Sequence, residues 1–117
     1  MFEYQEKYSK EVRTNESAKI KIKYPDRIPV IVDCEKNTKL KNPNFTQNKF
    51  LVPKDITMSQ FIFVLRRRIK LEAYQALYCM INNSIPVASD TMETIFQKYK
   101  SEDGFLYITY SLENTFG

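Results

Sequence analysis

Residues 55–70, "DITMSQFIFVLRRRIK", restrict the possible folds of this chain more than any other stretch. Thr57 and Gln60 have the spacing of a capping box, which begins a helix, and Ile56 can pack on Phe61 across the cap. The side chains that recur at helical spacing and predict one core-facing surface are Met58, Phe61, Ile62, Leu65 and Ile69. A helix with one apolar face needs an apolar layer to pack against.

Four predicted strands supply that layer. Residues 27–33 are rich in Ile and Val, and residues 49–53 form a short strand that is stopped by Pro53. The polar, turn-rich loop between these two strands suggests a hairpin. Residues 76–81 are continuously apolar, which predicts a strand buried on both faces. Residues 105–110 form the last predicted strand.

Residues 1–24 are predicted to be helical, although they carry few apolar side chains. Thr14 and Asn15 are expected to break this segment into two helices, with Asn15 or Ser17 capping the second. Helices with so little apolar surface do not fold alone, so they must dock on the rest of the chain.

A further helix is predicted to begin at Ser89 or Asp90, and its apolar face consists of Met92, Ile95, Phe96 and Tyr99. The complete order is two helices, two strands, a helix, a strand, a helix and a strand. This order predicts an α+β fold of the ubiquitin-like β-grasp type, a four-stranded mixed sheet with two extra N-terminal helices. The predicted parts are an N-terminal helical extension at 1–24, a ubiquitin-like core at 25–110 and a flexible C-terminal tail at 111–117.

The composition argues against an enzyme. The chain has no histidine, so a Ser/His/Asp or Cys/His nucleophile and a His-based metal site are excluded. Cys34 and Cys79 are isolated, which predicts reduced, inert thiols in a cytosolic protein. Glycine occurs only at Gly104 and Gly117, so no Gly-rich phosphate loop exists. We expect no metal, no cofactor and no catalytic residue.

The charge pattern leaves several partners open. The net charge of +4 favours an acidic peptide, an anionic membrane or nucleic acid. Residues 19–23, "KIKIK", lack interleaved aromatic residues, so nucleic-acid binding is not expected. Residues 66–70 fit a solvated helix end matched to the helix dipole, and Phe61 and Leu65 would be core residues in any amphipathic helix. No stretch has the length of a membrane span, and the N-terminus lacks an apolar signal region.

Four stretches, "KIKIKYPDRIPVIVD", "KFLVPKDITMSQFIFVLRRRI", "INNSIP" and "EDGFLYITYS", resemble the autophagy ubiquitin-like modifiers. This family includes the GABA-receptor-associated protein, the microtubule-associated light-chain proteins and autophagy-related protein eight. The resemblance runs in order from Lys19 to Gly117, and it implies a β-grasp core with two N-terminal helices.

The resemblance also implies covalent attachment of Gly117 to the amine of phosphatidylethanolamine. An activating enzyme and a conjugating enzyme of the ubiquitin-like type would carry the glycine as a thioester, and a cysteine protease would process or release it. The modifier would be a monomer in the cytoplasm and would lie on the autophagosome membrane when lipidated. There it would recruit cargo receptors that carry an aromatic-x-x-aliphatic motif.

The residues themselves support a peptide site at strand 49–52. The strand is short and stopped by Pro53, as expected of an edge strand, and a partner peptide can pair with such an edge. Because side chains alternate along a strand, Lys49 and Leu51 should point one way and Phe50 and Val52 the other. Two adjacent pockets follow.

The resemblance assigns residues to both pockets. The first pocket, for the aromatic side chain, would be lined by Glu16, Ile20, Pro29, Ile31, Lys49, Leu51 and Phe105. The second pocket, for the aliphatic side chain, would be lined by Val32, Phe50, Val52, Pro53, Ile56, Phe61, Val64 and Leu65. The acids of the motif would meet Arg27, Lys49 and Arg68.

Some residues depart from the family pattern. Lys10 or a neighbouring residue stands where the first turns usually carry a phenylalanine. Gln47 and Asn48 replace lysines often seen before Lys49, which weakens the positive field at the peptide site. Cys79 and Met80 replace a pair of phenylalanines before the asparagine turn. Two alternatives stay open: a ubiquitin-fold protein attached to a protein lysine, and a non-conjugated interaction domain in which the terminal glycine is only a frayed end.

Overall fold

The computed structural model describes residues 2–35 and 48–114. Within these ranges the chain forms four helices and four strands in the predicted order: α1 (Glu3–Lys7), α2 (Lys10–Lys23), β1 (Arg27–Cys34), β2 (Lys49–Pro53), α3 (Met58–Ile69), β3 (Gln75–Met80), α4 (Met92–Tyr99) and β4 (Leu106–Asn114). The sequence therefore identified the type and order of all these elements.

The strands form one mixed sheet in the order β2-β1-β4-β3. The pairs β1–β2 and β3–β4 are antiparallel, whereas the central pair β1–β4 is parallel. The hairpin pairing of the first two strands is confirmed, with Pro29 opposite Leu51. In the described part of the chain, β2 and β3 are the outer strands, so the predicted edge position of β2 is also confirmed.

Helix α3 covers one face of the sheet. Thr57 and Gln60 form the predicted capping box: the Thr57 hydroxyl accepts from the Gln60 N–H at 3.2 Å, and the Thr57 N–H donates to Gln60 Oε1 at 2.8 Å. Of the five predicted core positions of α3, four are buried and Ile62 is half-buried against the same apolar cluster. Ile56, before the cap, also packs against the cluster that contains Phe61.

The opposite face of the sheet carries the N-terminal helices. The apolar cluster on this face consists of Tyr4, Ile20, Ile31, Phe105 and Tyr107. The Tyr4 and Phe105 rings meet edge-on with their centroids 5.1 Å apart. The predicted docking of the weakly apolar N-terminal segment is therefore confirmed.

The predicted break at Thr14 and Asn15 is wrong, because both residues lie inside α2. The hydroxyl of Ser9 caps α2 instead, accepting from the Val12 N–H at 3.2 Å. Thr14 is accommodated within the helix because its hydroxyl donates to the Lys10 carbonyl at 2.8 Å. Ser17, the other expected cap, is also inside α2 and is buried.

The expected cap of α4 at Ser89 or Asp90 is wrong by one or two residues. Thr91 is the cap, and its hydroxyl accepts from the Thr94 N–H at 3.2 Å. Thr91 also forms a bridge with Thr57, which places the starts of α3 and α4 side by side. A tertiary contact thus selects one of three adjacent residues that can all cap a helix.

The prediction that residues 76–81 are buried on both faces is wrong. Strand β3 is an outer strand, and Tyr78 within it is 46% exposed, whereas Cys79 is buried. Strand β3 is followed by a turn in which Asn82 and Asn83 have positive φ angles of 51° and 63°.

The predicted start of the flexible tail at residue 111 is also wrong, because β4 continues to Asn114. Gln75 of β3 pairs with Asn114, and Leu77 with Leu112, which is buried. Pairing with β3 therefore holds at least half of the segment that was predicted to be a tail.

Candidate functional site

Two residues of β2, Lys49 and Leu51, direct backbone groups to the outer edge of the sheet formed by the described residues. The Val32 N–H donates to the Asn48 carbonyl at 2.8 Å, so these two residues form a hydrogen-bonded pair. Bonded and non-bonded pairs alternate along an antiparallel ladder. Lys49, opposite Ile31, and Leu51, opposite Pro29, are therefore non-bonded positions. Their N–H and C=O groups point away from β1, towards the position of an added strand.

A cavity of about 670 Å³ lies beside this edge, between α2 and β2. Its lining residues are Glu16, Lys19, Ile20, Lys23, Tyr24, Asn48, Lys49 and Leu51. Four of these, from both sides of the cavity, were predicted for the first pocket: Glu16, Ile20, Lys49 and Leu51. The structure thus brings the two walls of the predicted first pocket together.

The other three residues predicted for the first pocket lie deeper. Pro29 is buried, and Ile31 and Phe105 are fully buried in the apolar cluster with Ile20. None of the three lines this cavity: Ile31 and Phe105 pack with Ile20, and Pro29 lines a different cavity of about 400 Å³. Lys19 and Lys23 were missed, although their spacing from Glu16 on a helix could have identified them.

The residues predicted for the second pocket lie on the other face of the sheet. Five are buried in the core under α3: Val32, Phe50, Val52, Phe61 and Leu65. The Phe50 and Phe61 rings meet edge-on at 5.8 Å. Ile56 is half-buried, Pro53 is exposed and Val64 is 39% exposed. The alternation predicted for residues 49–52 is confirmed, but an aliphatic pocket at this group stays a prediction.

The three predicted cationic contacts are spread along β2. The Nη1 atom of Arg27 donates to the Leu51 carbonyl, which points away from β1, at 3.2 Å. Lys49 Nζ lies 3.1 Å from Glu16 Oε1 and 5.5 Å from the centre of the Tyr4 ring. The Arg68 guanidinium lies 5.8 Å from the Phe50 ring centre. An acidic ligand would therefore meet separate cations, and Lys49 is already paired with the carboxylate of Glu16.

Lys10, which departs from the family pattern, forms an ion pair with Glu102 on the surface. The hydrogen bond and the charge of Lys10 lower the pKa of Glu102 below its usual value. Tyr4 of α1 is buried, and its ring contacts the ring of Phe105. Gln47 and Gly117 lie outside the described residues.

A buried carboxylate, which the sequence did not reveal, lies between the N-terminal helices and the sheet. Asp103 is 1% exposed and forms an ion pair with Arg13, with Oδ2 2.9 Å from Nε. The Phe105 N–H donates to Asp103 Oδ1 at 3.0 Å, and the Tyr107 hydroxyl donates to Oδ2. Burial, followed by this bond to the carboxylate, raises the pKa of Tyr107.

The part of the chain covered by residues 2–35 and 48–114 has no helix long and apolar enough to cross a membrane. It also has no group of three or more Cys, Asp or Glu side chains placed to hold a metal ion. The features of the described site are therefore a strand edge, a cavity and dispersed charges.

The mixed sheet crossed by α3 on one face and covered by two N-terminal helices on the other defines a ubiquitin-like β-grasp domain with a helical extension. The family model "Autophagy protein Atg8 ubiquitin like" matches residues 12–117. The chain belongs to this Atg8 family of ubiquitin-like autophagy proteins.

Individual relatives agree with this assignment. The chain is 50% identical to Autophagy-related protein 8e of Arabidopsis thaliana, over 92% of this chain and 86% of that protein. It is 49% identical to Autophagy-related protein 8 of Schizosaccharomyces pombe, over 98% and 93%.

Two solved structures share the fold. Trypanosoma brucei ATG8 superposes with a TM-score of 0.90 at 41% identity, covering 100% of this chain and 99% of that chain. Plasmodium falciparum Atg8, solved in complex with a Plasmodium falciparum Atg3 peptide, gives 0.84 at 34% identity, covering 95% and 96%. The resemblance drawn from the sequence is therefore confirmed.

Proposed function

We propose that this protein is a ubiquitin-like modifier, not an enzyme, that is joined through Gly117 to phosphatidylethanolamine on autophagic membranes. The match to the Atg8 family extends to residue 117, which supports this role for the glycine. An amide bond would form between the glycine carbonyl and the lipid amine, after activation with ATP and transfer between enzyme thiols. Glycine suits this chemistry because it has no Cβ to obstruct attack on its carbonyl.

We also propose that β2 binds aromatic-x-x-aliphatic motifs as an added strand, with the aromatic side chain in the first pocket. The observation that carries this proposal is the outward-facing backbone of Lys49 and Leu51 next to the 670 Å³ cavity. Peptides commonly bind by such strand addition, in which main-chain bonds give affinity and side-chain pockets give specificity. The second pocket would open where Val64 and Pro53 reach the surface.

The partners follow from the same proposal. The Plasmodium falciparum relative was solved with an Atg3 peptide, which supports a conjugating enzyme as one ligand. An activating enzyme, a processing cysteine protease and cargo receptors would be the others. The protein would move between the cytoplasm and the autophagosome membrane as it is lipidated and released.

The peptide site is tested by calorimetry with a motif peptide. Leu51→Ala removes a half-buried side chain from the cavity wall, and truncation of such an anchor costs about 2 kcal/mol, so affinity should fall more than tenfold. Ile22→Ala is the matched control, because Ile22 is 84% exposed and does not line the cavity. Equal affinity of the Leu51 variant and the unaltered protein would contradict the site.

The attachment is tested with purified activating and conjugating enzymes, ATP and phosphatidylethanolamine liposomes. Deletion of Gly117 should abolish the lipid mass shift, and Gly117→Ala should severely reduce it, with peptide affinity unchanged in both. A lipid mass on the C-terminus of the deletion variant would rule out the glycine as the attachment point. A protein mass in place of a lipid mass would favour attachment to a lysine.

A further inference from the structure

Helix α2 forms one wall of the first pocket, yet it has little apolar contact with the sheet. Only Ser17 and Ile20 are buried among its 14 residues. Its exposed side chains include Val12 at 49% and Ile22 at 84%. Elements with few buried apolar contacts are those that detach most readily from a fold. Polar contacts must therefore contribute much of what fixes the position of this helix.

Two of those polar contacts meet at Asp103, in the turn before β4. Its carboxylate is paired with Arg13 of α2 at 2.9 Å, and its backbone carbonyl accepts the Ser17 hydroxyl. Arg13 and Ser17 are one turn apart on the same face of α2. Asp103 thus holds α2 at two points, with 1% of its surface exposed.

The same arginine also fixes α1. Arg13 Nη1 donates to the Tyr8 carbonyl at 2.7 Å and to the Gln5 carbonyl at 3.2 Å. These two carbonyls lie in and just after the last turn of α1, where carbonyls have no partners within the helix. One guanidinium therefore connects both N-terminal helices to the turn before β4.

Asp103 also holds the floor of the pocket. Its Oδ1 accepts the N–H of Phe105, whose side chain is fully buried against Ile20. One or two turns beyond the anchored residues, α2 presents Ile20 and Lys23 to the cavity, opposite Leu51 of β2. One carboxylate therefore contacts both Arg13 of the α2 wall and the backbone of Phe105 in the floor.

We infer that Asp103 and Arg13 are positioning residues for the first pocket: they hold α2 against the sheet in the position that forms the pocket before a ligand arrives. This inference rests on the proposed peptide binding. If the network is broken, α2 detaches more often and the fraction of molecules with a formed pocket falls. The apparent dissociation constant rises in inverse proportion to that fraction.

The test uses the full chain with Asp103→Asn, and with Arg13→Lys as a milder change that keeps a cation but loses the fork to both carbonyls. The matched control is Glu102→Gln. Glu102 precedes Asp103 and is paired with Lys10 of α2, the helix that also carries Arg13. The side chains of Glu102 and Lys10 are, however, 84% and 62% exposed. Exposed pairs of this kind contribute little, so the control should behave as the unaltered protein.

Two measurements are made on each variant. The first is amide hydrogen exchange of α2, with α3 as the internal reference. The second is the affinity for a motif peptide and for the same peptide with alanine at the aromatic position. In Asp103→Asn we expect exchange in α2 to rise at least tenfold while α3 is unchanged. Affinity for the aromatic peptide should fall about tenfold, and affinity for the alanine peptide less than twofold. The changes in exchange and affinity in Arg13→Lys should lie between those of the unaltered protein and those of Asp103→Asn. If Asp103→Asn does not fold, the results for Arg13→Lys test the inference.

Unchanged exchange in α2 would overturn the inference, and so would an equal loss of affinity for both peptides or the same effects in Glu102→Gln. If the unaltered protein bound neither peptide, the proposed peptide binding would fail. The exchange measurement would still decide whether Asp103 fixes α2, so the two failures are distinguishable.

Discussion

Gly104→Ala is expected to destabilise the fold strongly, because the residue lies in a tight turn against α2. Its φ angle is +90°, and its N–H donates to the Ser101 carbonyl at 3.0 Å. A Cβ atom at this position would overlap Ser17 Oγ and lie 3.0 Å from Ser17 Cβ. Both the backbone conformation and the space are therefore unsuitable for alanine.

Three effects determine how much Gly104→Ala lowers the free energy of unfolding. A side chain at such a φ angle costs about 1–3 kcal/mol, and overpacking costs about 1–3 kcal/mol. Reduced freedom of the unfolded chain returns about 0.4–1 kcal/mol. The net loss is about 3 kcal/mol in the free energy of unfolding. At roughly 4 °C per kcal/mol for a chain of this size, Tm should fall by about 12 °C.

Urea unfolding of a double-mutant cycle with Ser17→Ala separates these parts. In the unaltered protein, Ser17→Ala loses a buried hydrogen bond to the Asp103 carbonyl and should cost about 1–2 kcal/mol. In the Gly104→Ala background the same change removes the overlap between the new Cβ and Ser17 Oγ, so its cost should largely disappear. Strict additivity, or a Gly104→Ala variant within about 0.5 kcal/mol of the unaltered protein, would refute the reasoning.

Three further outcomes are expected. Thr57→Ala should lower the free energy of unfolding by about 1 kcal/mol through loss of the capping box, with the exposed Ser59→Ala as a control; equal stabilities would contradict this. Burial raises the pKa of Cys79 to about 12, so iodoacetamide should modify the half-buried Cys34 first and Cys79 only on unfolding; rapid labelling of Cys79 in the folded protein would show the burial to be wrong. Burial, followed by the charge of Glu16, raises the pKa of Tyr4 to about 12. The stability that the neutral Tyr4 hydroxyl contributes is therefore complete below pH 10 and is lost as the pH rises towards 12, by up to about 1.4 kcal/mol per pH unit. In Tyr4→Phe the free energy of unfolding should fall less steeply over this range, and an unchanged slope would refute the assignment.

Local patterns decided much of this fold. The capping box at Thr57 and the apolar face of α3 depend on contacts within a few residues, so both could be predicted from spacing alone. The alternation of Lys49, Phe50 and Leu51 is likewise a local property of an extended chain. Because Pro53 ends this strand, the position of the strand at the edge of the sheet could also be inferred.

Other features required the tertiary structure. Near α2 and α4 several residues can serve as caps, and Ser9 and Thr91 were selected by how each helix packs. A continuous apolar run such as 76–81 does not reveal whether its strand is central or outer, because sheet order depends on contacts between distant segments.

The burial of the Asp103 carboxylate is the clearest example of a feature that the sequence does not reveal. In the sequence it belongs to "EDG", a polar turn before the last strand, with nothing to suggest burial. Its partner Arg13 is 90 residues away in the chain, within a helix whose pattern is mostly polar. Sequence spacing determines which residues share a face of one element, whereas the packing of α2 against the sheet determines that these two charges meet out of water. Only the three-dimensional fold could place a buried ion pair beneath the first pocket.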